Sequence, residues 1–292
     1  SGLKSADGLS LEQLTVKFRD LIRGDRPGGV LLPPATATLD GKVFRLAVGK
    51  MTSNPFFVGL CEGSSLTMEE GDNETADNAQ KISDLGLVAG CFFPARDVDY
   101  FRFMIRKDEV YWLDIFSQRL GKKTNPYITA QLVGVAKDGK ETPGPAKEFY
   151  EIKDNPGGRA FNIANGDVSW RFQAKSNGYC QVMARDLFNQ VADDPGRGYV
   201  MVLNRERPGF RLLAHPRTVP SALGSTKAIE LMVTHLRKGT TLPVQIIAIR
   251  EGNFNGPIRI SVEGLPEGVN LHACEIKAGQ KSATALLTAS EQ

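Results

Sequence analysis

No apolar run in this 292-residue chain approaches the ~18 residues that span a bilayer, and the opening SGLKSADGLS reads as neither signal peptide nor membrane anchor. Histidine is scarce. His215, His235 and His272 all lie in the last third, and none stands in an HExxH or other two-histidine metal spacing. The four cysteines, Cys61, Cys91, Cys180 and Cys274, lack CxxC spacing, which argues against a zinc ribbon or thioredoxin-type chemistry. They read as small core hydrophobes, or, for Cys91 and Cys180 in candidate strands of one domain, as a disulfide. Ser64 and Ser65 have no G-x-S-x-G elbow around them, and there is no G-x-G-x-x-G and no P-loop. The 36 basic and 33 acidic residues are scattered together to a net charge of +3, with no basic run. That balance speaks against a nucleic-acid or anionic-membrane partner. Paired acids (Glu69/Glu70, Asp193/Asp194) lie in turn-rich loops without an apolar pocket to separate their pKa values. The chain therefore reads as non-enzymatic.

What is abundant is turn residues, 30 Gly and 16 Pro spread along the length, as all-β domains show. One amphipathic helix is predicted over residues 10–23, with Leu11, Leu14, Phe18, Leu21 and Ile22 on one face, Ser10 and Gln13 as a capping box and Gly24 as its stop. Its apolar stripe reads as a docking face. Pro and Gly then break the chain into short extended pieces, so residues 1–62 read as a small or incomplete N-terminal unit.

Farther on the period becomes two. Val168, Trp170 and Phe172 alternate with Ser169, Arg171 and Gln173; Tyr111, Leu113 and Ile115 alternate with Trp112 and Asp114; Ile128, Ala130 and Leu132 alternate with Thr129 and Gln131. GYCQVMARD adds a further strand, and GKKTNP, KDGKETPGP, DNPGGR and DDPGRG are the turns between. Many short strands parted by turn clusters predict a sandwich or jelly roll. A second series, IELMVTHL, LPVQIIAIRE, IRISVEGL and ATALLTAS, predicts a further β domain over residues 215–292, small or cut short at Gln292. GNFNGP reads as a glycine–asparagine turn.

The densest stretch is residues 69–103, an acidic turn-rich lead-in, a short apolar run, then Asp97 and Asp99 entering an aromatic alternating strand. Glu69, Asn73, Thr75, Ala79 and Gln80, then Asp97, Asp99, Tyr100, Phe101 and Phe103, then Gly178, Tyr179, Val182 and Asp186 together resemble the bacterial pre-peptidase C-terminal (PPC) domain. Gly71 stands where that pattern has a second glutamate, and Glu74 stands where it has an aspartate. The resemblance covers residues 63–214, and residues 215–292 look like the immunoglobulin-like domains that follow such modules. It implies a mainly β chain: a jelly-roll-like β-sandwich related to collagenase collagen-binding domains, followed by an immunoglobulin-like β-sandwich. It also implies a calcium site drawn from Glu69, Asn73, Glu74, Asp97 and Asp99. Hard oxygen donors of this kind are what calcium takes.

Tyr100, Trp112 and Tyr127 have core-type neighbours in alternation, so they are predicted to face outward as candidate ligand-binding residues for an extracellular polysaccharide or protein polymer. The functional expectation is a non-catalytic accessory, binding or spacer region of a secreted or cell-surface bacterial multidomain protein, placed outside the cell, on its surface or in the periplasm. Its partners would be neighbouring domains of a longer chain. The alternative is a peptidase-associated C-terminal extension that aids folding, secretion or targeting of a protease. A hydrolase with an unfamiliar site is the weakest reading.

Overall fold

The computed structural model describes residues 4–5, 34–48, 51–53, 56–60, 66–82, 85–158, 161–188, 194–216, 235–272 and 274–291. The helix predicted over residues 10–23 and most of IELMVTHL lie outside them. By contacts the chain forms two compact units, Ser1–Ile152 with Asn165–Arg205, and Lys153–Ala164 with Glu206–Gln292. Among the described residues no helix is long and apolar enough to cross a membrane.

The first unit opens with short strands: β1 (Lys4–Ser5), β2 (Asp40–Phe44), β3 (Leu46–Val48), β4 (Met51–Thr52) and β5 (Phe56–Leu60). β1, β3 and β4 form one small sheet, and β2 pairs antiparallel with β5. A 3₁₀ turn, Pro34–Thr38, is tied to a second one, Gln118–Leu120: Thr36 Oγ1 donates to the Arg119 carbonyl at 2.9 Å and Arg119 Nη1 donates to Thr38 Oγ1 at 3.4 Å. The fully buried Asp167 organises that second turn. Its carboxylate accepts the backbone N–H groups of Ser117, Gln118 and Arg119 at 3.1, 2.6 and 3.2 Å, and Arg119 Nε at 2.8 Å. Every acceptor need of a buried charge is thereby met, the condition under which such burial is tolerated.

The main body is a sandwich of two sheets. Its strands are β6 (Leu66–Met68), β7 (Gln80–Ile82), β8 (Leu87–Cys91), β9 (Asp99–Ile105), β10 (Val110–Phe116), β11 (Pro126–Val135), β12 (Glu141–Pro143), β13 (Lys147–Tyr150), β14 (Val168–Gln173), β15 (Gly178–Asp186) and β16 (Gly198–Arg205). The first sheet runs β14-β10-β16-β8-β6; the second runs β12-β11-β15-β9-β7, with β13 also pairing β11. Alternation becomes burial directly. Tyr111, Leu113 and Ile115 of β10 are wholly buried with Trp112 and Asp114 partly exposed between them, and β9 and β15 repeat the pattern. The inward rows Tyr111, Leu113, Met201 and Leu203 of the first sheet meet Phe101, Phe103, Ile128 and Val182 of the second in one core. Burial of each such side chain contributes about 1.5–3 kcal/mol. β16, central to the first sheet, was not among the expected strands. Its run Tyr199–Leu203 is nearly continuous in apolar residues, and period-two alternation carries no signal there.

The sandwich pairs are antiparallel with two exceptions. β6 lies parallel on β8 and β7 lies parallel on β9, each over three residues. The acidic lead-in between them thus passes from an edge of one sheet to an edge of the other.

In the second unit β17 (Gly209–Pro216), β18 (Thr241–Glu251), β20 (Val269–Leu271) and β22 (Ser282–Ala289) form a sheet ordered β17-β18-β22-β20. β19 (Ile258–Ile260) and β21 (Cys274–Ile276) form a two-stranded partner. Ile246, Ala248 and Ala285 of the larger sheet share a small core with Ile258 and Ile276 of the smaller. Gly209–Pro216, most of which precedes residue 215, pairs along its length with β18 and so belongs to this second sandwich. The whole is mainly β, as the strand and turn pattern predicts.

Candidate divalent-cation centre

The lead-in delivers the first carboxylate through a ladder. Beyond β6 the parallel pairing continues one step, with Glu69 N–H donating to the Ala89 carbonyl at 2.9 Å, and this sets the Glu69 side chain over Gly90 and Cys91. The Cys91 N–H donates to Glu69 Oε2 at 2.7 Å. Gly90 is what permits the approach. A Cβ there would lie 2.3 Å from Glu69 Oε2 and 2.5 Å from the Tyr199 hydroxyl oxygen, so a backbone without a side chain is required between them.

Asp97 and Asp99 come from the loop and strand that follow. The Phe93–Asp97 loop folds back so that Phe93 N–H donates to Asp97 Oδ2 at 3.1 Å. Asp99 opens β9 on its inward side, in the row of Phe101, Phe103 and Ile105, and is 1 % exposed. Tyr199 of β16, stacked on Phe92 with ring centres 4.5 Å apart, donates its hydroxyl to Asp99 Oδ2 at 2.9 Å. Asn73, also buried, holds the turn to both. Its carbonyl accepts Tyr100 N–H at 2.8 Å, and its amide nitrogen, oriented to satisfy its neighbours, donates to Asp99 Oδ1 at 3.3 Å and to the Glu70 carbonyl at 2.8 Å. Gln80 closes the lead-in by accepting Glu70 N–H at 3.2 Å and donating to the Met68 carbonyl at 2.9 Å.

One oxygen from each of Glu69, Asp97 and Asp99 lies within 4.8 Å of the others. Among the described residues no Lys or Arg is paired with any of them. The electrostatic consequence is large. Burial, with the Glu69 charge next, raises Asp97 to about 6. Burial, then the hydrogen bond and charge of Glu69, raise Asp99 to about 9. At neutral pH the cluster therefore keeps a proton on Asp99 unless a cation takes its place.

The residues fit a hard divalent ion. Calcium–oxygen bonds of about 2.3–2.6 Å keep any two ligands of one ion within about 5 Å of each other, and the trio's ligand atoms all lie within 4.8 Å. All three donors are carboxylate oxygens, with no thiolate or imidazole among them, a set that suits calcium, magnesium or manganese over zinc. Each carboxylate already has an oxygen anchored by a protein donor (Cys91 N–H, Phe93 N–H, Tyr199 hydroxyl).

Of the residues proposed from sequence for a metal, Glu69, Asp97 and Asp99 come together and Asn73 is packed beside them. Glu74 is exposed and is not one of the trio. Tyr100 and Tyr127 are half-buried on the outward side of the second sheet, whereas Trp112 sits on β10 of the first, so the three aromatics do not share a face. Cys91 and Cys180 are both free thiols, which corrects the disulfide alternative. Cys180 is wholly buried in the second sheet, with Phe103 and Leu132 as its register partners; Cys91 ends β8 in the first sheet and its thiol donates to the Pro195 carbonyl at 3.1 Å. Sequence reasoning missed Gly90 and Tyr199. Neither carried a local signal, since Tyr199 lies in a run that is apolar throughout and Gly90 is marked only by the close approach of Glu69 and Tyr199 in three dimensions.

Fold and site together define a jelly-roll-like β-sandwich carrying a carboxylate cluster suited to a divalent cation. Among solved structures the chain is similar to the pre-peptidase C-terminal domain of collagenase from Bacillus anthracis, at 9% identity and TM-score 0.28, over 43% of this chain and 94% of that one. It is also similar to a triple-jelly-roll turret protein of an archaeal virus, at 12% identity and TM-score 0.15, over 66% of this chain and 51% of that one. No protein-family model and no curated protein matches the sequence.

Proposed function

We propose that the first unit is a non-catalytic accessory module of a secreted or cell-surface bacterial multidomain protein, and that a calcium ion at Glu69, Asp97 and Asp99 locks its acidic lead-in onto the sandwich. The observation that carries this reading is the trio itself: three carboxylates within 4.8 Å, each held by a protein donor, with no basic residue among the described ones to balance them. β6 and β7 are held by only three register pairs each, so an ion joining Glu69 to Asp97 and Asp99 would tie the lead-in to β9 where the ladders are short. Asn73 and Gln80 would keep the turn in place while the ion supplies charge neutralisation. The trio offers carboxylates alone, with no imidazole among its ligand atoms. A site of this class in an extracellular module works at a Kd of about 10⁻⁴–10⁻³ M.

The test is calorimetric melting of the full chain in EDTA and in increasing calcium. A ligand specific to the folded state stabilises it by about 2.7 kcal/mol at one hundred times its Kd. A melting temperature indifferent to calcium up to ten-millimolar levels (roughly ten times the weakest expected Kd) would sink the proposal.

A further inference from the structure

The outward side of the second sheet holds a cation laid on an aromatic ring. Arg185 of β15 and Tyr127 of β11 are register partners, and the guanidinium carbon of Arg185 lies 4.8 Å from the centre of the Tyr127 ring. Its Nε is buried and makes no hydrogen bond, and among the described residues no carboxylate pairs with it. Across β11 in the same row stands Tyr150 of β13, 49% exposed. In the next row Tyr100 of β9 faces out beside Met183 and Thr129. Arg102 is a second cation on this side, over the Tyr179 ring at 4.9 Å and held by Gln181 and the Ala76 carbonyl. Glu148, opposite Thr129, and Glu141, which accepts the Tyr179 hydroxyl, are its acids, both on the short strands β12 and β13.

We propose that this face is the docking surface for a carboxylate- or sulfate-bearing polysaccharide. Arg185 grips the acid group, and Tyr127, Tyr150 and Tyr100 lie beneath the sugar rings. A half-buried arginine whose guanidinium is stacked on a ring and lacks an anion is preorganised to take one in a charge-assisted bond. The rings are half-exposed and interleaved with Thr129, Gln131 and Gln181, so the face lacks the contiguous apolar centre of a protein interface. It suits a chain whose rings have apolar faces and polar edges. Strand addition to β11 is closed, since β15 borders one side and β12 and β13 the other. The proposal rests on the accessory-module reading and uses none of the carboxylates of the cation centre.

The experiment is affinity electrophoresis of the full chain through gels containing polygalacturonate, dextran or polyglutamate. Wild type is compared with Arg185→Gln, Arg185→Lys, Tyr127→Leu and, as a charge-matched control, Lys107→Gln at an exposed position. The melting temperature of each variant is measured in parallel. Polygalacturonate should retard wild type at low salt and dextran should not. Arg185→Gln should weaken that binding about tenfold or more, Arg185→Lys and Tyr127→Leu should weaken it in part, and Lys107→Gln should leave it within about twofold. Equal losses in Lys107→Gln and Arg185→Gln, equal retardation by polyglutamate, or no retardation of wild type would each overturn the proposal. Cleavage of the polymer by wild type would overturn the accessory reading as well, whereas absence of binding without cleavage overturns the polysaccharide surface alone.

Discussion

Asp99→Asn separates the cost of the carboxylate cluster from its use. Asp99 is buried, neutral at pH 7 in the ion-free protein and raised to about 9 by burial and by Glu69. In the unfolded chain it ionises near 3.9. The folded state therefore holds the extra proton, and the stability this contributes is complete below about pH 4 and is lost as pH rises toward 9. By pH 7 the loss has a ceiling of about 4 kcal/mol, three pH units at ~1.4 kcal/mol each. Asparagine has nearly the same shape as the protonated acid, can still accept the Tyr199 hydroxyl and does not titrate. In EDTA, the variant should equal or exceed wild type at pH 8, and the fall in melting temperature between pH 5 and pH 8 should flatten. At ~2–4 °C per kcal/mol for a domain of this size, even a quarter of the ceiling is measurable by scanning calorimetry. In calcium the ordering should reverse, because the variant loses a ligand charge and the ion's stabilisation with it. The ion must displace the proton on Asp99, so calcium affinity of the wild type should rise with pH through the same window. An asparagine variant that is less stable than wild type in EDTA at pH 8, or that keeps the full calcium response, would refute this account of the cluster.

Two further substitutions probe how the site and the fold are held. Gly90→Ala forces a methyl group against Glu69 Oε2 and the Tyr199 hydroxyl; it should cost about 1–3 kcal/mol and weaken calcium binding measured by isothermal titration, and unchanged affinity would show that the close approach is not needed. Asp167→Ala removes the acceptor of three backbone N–H groups and leaves Arg119 buried without its partner, so urea denaturation should show a loss of about 3–5 kcal/mol, and a loss under 1 kcal/mol would count against that role.

Much of the sandwich was legible because alternation is a local property. Tyr111, Leu113 and Ile115, or Ile128 and Ala130, reveal their inward side from neighbours two residues away. β16 escaped because Tyr199–Leu203 is apolar almost throughout, a pattern shared by a doubly covered strand and a buried helix. For the site, the candidate ligands came from the resemblance, which offered Glu69 in the lead-in and Asp97 and Asp99 at the entry of one strand. Glu74 was drawn in by its place in the motif, yet its side chain is exposed outside the trio.

Local pattern thus settled that this is a chain of short strands and which side of most strands is apolar; the carboxylates offered for a shared ion came from the resemblance of the lead-in and the segment of residues 97–103 to a known domain. Sheet membership and long-range register were settled only in three dimensions. The outward orientation of Trp112 is written in its neighbours, but its place on the sheet opposite Tyr100 and Tyr127 depends on β10 pairing with β14 and β16. Tyr199 meets Asp99 across 100 residues of sequence, and Glu69 reaches Cys91 only because a three-residue parallel ladder sets it above Gly90. Side-chain period is a property of adjacent backbone units, whereas register is a choice among distant partners made by the packing of the whole core.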